Sequence, residues 1–135
     1  MKKYLLLLAF FVASIAVKAQ TRPDTIIRDK QVFTAVQFTP EFPGGEQALG
    51  KFLQANIKYP KADRKNSIQG KVYIQFVVER DGSLTDFMII RAPTEAMGVE
   101  VQRVLSLSPN WKPGIQNDKP VRVQYTLPVN FSLSK

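Results

Sequence analysis

From Val121 to Leu133 apolar and polar side chains alternate without a slip. Val121, Val123, Tyr125, Leu127, Val129, Phe131 and Leu133 form one row; Arg122, Gln124, Thr126, Pro128, Asn130 and Ser132 form the other. A period of two predicts a half-buried strand. A shift of one residue would turn the whole apolar row to water, so the pairing of this strand is firmly fixed. A second run, from Gly70 to Glu79, sets Val72, Ile74, Phe76 and Val78 against Lys71, Tyr73, Gln75 and Glu79. Arg80-Asp81-Gly82-Ser83 follows, and Asp-Gly between two apolar-rich runs predicts a hairpin. The return strand covers Leu84 to Ile90. Leu84, Phe87 and Ile89 miss alternation by one position, which predicts a bulge near Thr85 and Asp86.

Two stretches change period. Leu49, Phe52, Leu53 and Ile57 fall at helical spacing and predict a helix over about Glu46 to Asn56, with Pro43-Gly44-Gly45 as the turn before it. Glu46 suits the positive end of the helix dipole, and Tyr59-Pro60 stops the helix. A short helical turn is expected through Pro60 to Arg64. After Pro93, Met97, Val101, Val104 and Leu105 make a single stripe, read as core, that ends at Ser108-Pro109. Asn117-Asp118 reads as a turn leading into the last strand. Gln31 to Phe38 carries Val32, Ala35, Val36 and Phe38 with little alternation, enough for a short strand at most.

The hairpin makes the first two strands antiparallel, and the helix after them returns the chain to its starting end. An antiparallel sheet then places the last strand beside the first. The expected fold is α+β: a three-stranded antiparallel sheet of order 2-1-3 with two helices packed on one face. The last strand is then an edge, and Pro128 fits there because proline gives no ladder N–H. An unpaired edge is either covered or a template for an incoming extended peptide.

Composition narrows the chemistry. The chain has neither cysteine nor histidine. No disulfide, no thiolate and none of the usual transition-metal ligands are available, so no metal or other cofactor is expected. No serine has a marked base, and the acidic residues read as solvated or as turn and cap groups; an enzyme is not expected. Trp111, the single tryptophan, reads as packing between the second helix and the last strand.

At the N-terminus, Lys2 and Lys3 precede an apolar run from Leu5 to Val17, and Ala-Val-Lys-Ala leads to Gln20. This reads as a secretory signal peptide over residues 1–19, too short at about 13 apolar residues for the roughly 20 of a helical span. An inner-membrane anchor facing the periplasm is the alternative. Residues 20–41 read as a flexible segment and 42–135 as the one folded domain. Cleavage removes three lysines and leaves 16 basic against 11 acidic side chains, a net of +5. The basic residues are scattered singly, so neither nucleic acid nor a small-molecule substrate is indicated.

Tyr59-Pro60 with Ala62, the Gly70 strand ending in Asp81-Gly82, Trp111-Lys112-Pro113-Gly114, and Pro128-Val129-Asn130-Phe131 together resemble the TonB C-terminal domain family, over about Phe42 to Leu133. The resemblance implies a periplasmic binding module whose last strand pairs with the TonB box, an extended segment of an outer-membrane TonB-dependent transporter, in energy-coupled transport. Carried over by position, the peptide-binding residues are Val121, Arg122, Val123, Gln124, Tyr125, Thr126 and Leu127, with Arg64 flanking. Tyr59, Pro60, Gly70, Asp81, Gly82, Trp111, Pro113 and Gly114 are structural. The chain departs from the family's transducer in lacking a proline-rich spacer. The roughly 25 residues between Ala19 and Gly45 reach at most about 90 Å when fully extended, short for spanning the periplasm. A homodimer that pairs these edges with each other is the alternative reading.

Overall fold

A computed structural model describes residues 30–133; the expected signal peptide lies outside them. The elements are β1 (Val32–Phe33), α1 (Glu46–Asn56), α2 (Lys61–Lys65), β2 (Gly70–Val78), β3 (Leu84–Arg91), α3 (Glu95–Leu105), β4 (Gly114–Gln116) and β5 (Lys119–Phe131). The main sheet has the order β1-β5-β2-β3, and β4 also pairs with β5.

The alternation in β2 and β5 locks them together. Their antiparallel register runs unbroken from Gly70↔Phe131 to Val78↔Val123. Val72, Ile74, Phe76 and Val78 have no exposed surface, and Val123, Leu127, Val129 and Phe131 face the same core. The stripe on α3 closes this layer: Met97, Val101, Val104 and Leu105 are all buried. Thr94 caps α3 by accepting a hydrogen bond from the Met97 N–H at 3.2 Å, satisfying a donor the helix itself cannot. The Thr94 hydroxyl in turn donates to Asp63 Oδ2 at 2.7 Å, tying α2 to the start of α3.

The β2–β3 ladder slips twice, between Tyr73 and Ile74 and between Gln75 and Val77. The second slip leaves an extra residue on β3 between Thr85 and Met88, with Asp86 at a positive φ of 53°. The bulge expected near Thr85 and Asp86 is there, and it returns Phe87 and Ile89 to the core side.

The three-stranded, two-helix expectation needs correction. β1 and β4 both add to β5, and Lys61–Lys65 is a third helix. The reason is the segment before α1. Residues 37–41 run antiparallel to residues 112–116: Phe38 and Ile115 exchange both backbone hydrogen bonds (3.1 and 2.9 Å), as do Glu41 and Lys112 (3.1 and 2.8 Å). The Gln37 and Gln116 side chains complete the strap, Gln116 Oε1 accepting from the Gln37 N–H at 2.9 Å and Gln37 Oε1 from the Asn117 N–H at 2.8 Å. Asn117 and Asp118 both have positive φ, and the two-residue turn they form folds β4 back on β5.

Candidate functional site

β5 offers different surroundings along its length. At its start, Val121 pairs with Gly114 of β4, and Arg122 and Val123 pair in parallel with Val32 and Phe33 of β1. Val123 also pairs with Val78, so it has strands on both sides. From Gln124 to Phe131, β5 pairs only with β2 among the described residues. The candidate edge therefore begins at Gln124 rather than Val121 and runs past Leu127 to Phe131.

A groove of about 560 Å³ lies along the far half of this edge, lined by Pro128 to Ser132 of β5 and its end, by Gly50, Leu53, Gln54 and Ile57 of α1 and its C-terminus, and by Tyr59 and Arg64. Tyr59 is fixed there from two directions. Its ring meets Phe131 edge-on at 5.5 Å, and its hydroxyl donates to the Ile68 carbonyl. The Arg64 guanidinium sits 5.4 Å above the Tyr59 ring, a cation–π arrangement that holds the charge at the groove. The helical spacing of Leu53 and Ile57 is the signal in the sequence for this wall; by itself it predicts only the helix.

Arg122 is paired within the domain. Its Nε donates to Glu79 Oε1 at 2.7 Å and its Nη2 to Glu79 Oε2 at 3.0 Å, with Asp86 3.5 Å away. The paired guanidinium holds the Glu79 carboxyl below its ordinary 4.5, aided by the Thr85 hydroxyl bond. This fork pins the start of β5 to the end of β2. Gln124 is half-buried, Thr126 exposed and Leu127 buried. Tyr125 is half-buried, stacked 5.6 Å from Phe76, and burial pushes its phenol above 10.0, with the Glu46 carboxylate adding to the effect.

Trp111 sits behind the site as a buttress. It is buried and meets Phe42, Phe76 and Tyr125 edge-on at 5.9, 5.5 and 5.3 Å. Its indole N–H donates to Ser108 Oγ at 3.0 Å. Gly114 lies so near β5 that a Cβ there would meet Val123 Cγ2 at 2.5 Å. Pro113 is half-buried beside it. Pro60 caps α2, and Gly70 opens β2 opposite Phe131. In the β2–β3 turn, Asp81 Oδ1 accepts from the Ser83 N–H at 2.9 Å and its hydroxyl at 2.7 Å, and the hydroxyl bond holds the Asp81 carboxyl below 3.8. Among the described residues no three His, Cys, Asp or Glu side chains gather as a metal site, and no helix is long and apolar enough to cross a membrane.

Residues 55–133 match the family described as Gram-negative bacterial TonB protein C-terminal. The chain belongs to the TonB C-terminal family. Among solved structures, the TonB C-terminal domain of Pseudomonas aeruginosa is similar at 24% identity and a TM-score of 0.49, with 58% of this chain and 80% of that one covered. The TonB C-terminal domain of Helicobacter pylori is similar at 20% identity and a TM-score of 0.48, with 66% and 80% covered. Comparison with curated proteins finds no match. The TonB match begins at the end of α1, so the strap, Phe42 and most of α1 lie outside it.

Proposed function

We propose that this TonB C-terminal domain is a periplasmic binding module that takes an extended segment of a partner onto the 124–131 edge of β5, and that the partner is an outer-membrane TonB-dependent transporter presenting its TonB box. Backbone hydrogen bonds give affinity in such strand addition, and side-chain pockets give register.

The observation that carries this reading is the inequality of the two sheet edges. β3, the other outer strand, is interrupted by bulges at two places, a device that blunts an edge against pairing. β5 is regular against β2 over its whole open length, and a groove with Tyr59 and Arg64 flanks it. One edge is guarded and the other is prepared.

The test is an amide NMR titration of the full mature chain with a TonB-box peptide. Shifts should gather on residues 124–131 and on Tyr59 and Arg64, leaving β3 unmoved. Shifts gathered on β3, or none at saturating peptide, would discard the proposal.

A further inference from the structure

β1 occupies the same side of β5 that the open edge presents. Val32 and Phe33 pair in parallel with Arg122 and Val123, and from the next residue, Gln124, that edge has no strand partner among the described residues. Both β1 residues are half-buried, and exposed bends at Thr34 and Ala35 follow. The chain then becomes firmly attached: Phe38 exchanges hydrogen bonds with Ile115, Glu41 with Lys112, and Phe42 is buried against Trp111. β1 is thus a weakly held pair of residues on a short tether whose far end is fixed. A tethered strand rebinds at high effective concentration, yet so few ladder bonds yield to a longer competitor. The surface beneath it does not move with it, because the Arg122 fork onto Glu79 holds that part of β5 in place.

We propose that β1 is a displaceable stop on the β5 edge, setting the length and register of the strand that this edge accepts. The proposal rests on strand addition to β5. A strand confined to residues 124–131, about 26 Å of edge, pairs without disturbing the chain. A strand that pairs beyond Gln124 toward Arg122 must eject Val32 and Phe33. The N-terminal segment thereby competes with long ligands and is indifferent to short ones, and ligand binding at the edge is linked to release of the chain that precedes the domain.

The experiment uses the full mature chain carrying Phe33→Cys and Val123→Cys, which are Cα partners; with no native cysteine, the only disulfide that forms is the one locking β1 to β5. Two probes are titrated by calorimetry into the oxidised and reduced forms: a TonB-box peptide of about seven residues, and one of about thirteen that extends it at both ends. Oxidation should weaken the long peptide by about tenfold or more and change the short one by less than about twofold. Equal weakening of both, or of neither, overturns the stop. Failure of both peptides to bind either form removes strand addition itself, and the stop with it. A second variant, Phe33→Pro, changes a residue outside the buried core cluster and puts in one that cannot donate to a ladder, which disfavours β1. It should tighten the long peptide by about threefold and leave the short one unchanged; an unchanged long peptide overturns the stop even if the cysteine variant does not fold.

Discussion

Gly82 and Trp111 meet backbone to backbone: the Trp111 N–H donates to the Gly82 carbonyl at 2.8 Å, and a Cβ at position 82 would lie 2.0 Å from the Trp111 carbonyl oxygen. Gly82 also has φ +90°, a region that costs an L side chain energy. Gly82→Ala should therefore destabilise the domain by about 3 kcal/mol or more, since clash and backbone strain act together. Urea unfolding followed by Trp111 fluorescence would measure it; a loss under about 1 kcal/mol would mean the turn and the tryptophan are not rigidly joined.

Phe42 lies before the family's matched segment but within the core, 5.3 Å from Phe52 and 5.9 Å from Trp111. Phe42→Ala should cost about 3–5 kcal/mol. A surface role for this residue would leave the urea midpoint unchanged.

Glu79 and Glu100 are the acid-sensitive joints. The Arg122 bonds lower Glu79, and the Arg103 bonds lower Glu100, which also accepts from the Lys58 N–H at 2.7 Å. Both sit below the 4.5 of an unfolded chain, so their stabilisation is complete above that pH and is lost as pH falls through the lower folded values. Stability should be level from pH 7 to about 5.5 and decline below about 4.5. The Glu79→Gln, Glu100→Gln pair should lower the plateau and flatten that decline. For Glu79 alone the loss at neutral pH is about 1 kcal/mol once solvent screening is allowed for.

Thr94 works in two directions, accepting from the Met97 N–H and donating to Asp63, which is 5% exposed. Thr94→Ala removes a cap and strands part of a buried carboxylate, together about 2 kcal/mol. Thr94→Ser keeps both bonds and should cost less than about 0.5 kcal/mol. Equal losses for the two variants would assign the effect to the methyl group instead.

The alternation of β5 and β2 and the α3 stripe were legible in the sequence because each element writes its buried face with its own period. So was the bulge at Asp86, which appears as a single missed beat. The strap was not legible. Gln37 meets Gln116 across 79 residues, and Phe38 is 66% exposed, so neither carries a pattern that names a partner. The pairing of Arg122 was hidden for a related reason. This residue occupies an outward position of a strand, and only the register that sets it beside Glu79, 43 residues away, reveals that its charge is already engaged. The same missing partners moved the start of the open edge from Val121 to Gln124.

The bulges in β3 bear on stoichiometry. A sheet with two receptive edges could pass strands from copy to copy and grow into a ribbon. Here β3 carries two register breaks that blunt its edge, so strand addition at β5, as proposed above, would bring in one partner per domain. Two copies meeting through β5 would likewise present only their β3 ends outward, and growth would halt at a closed pair.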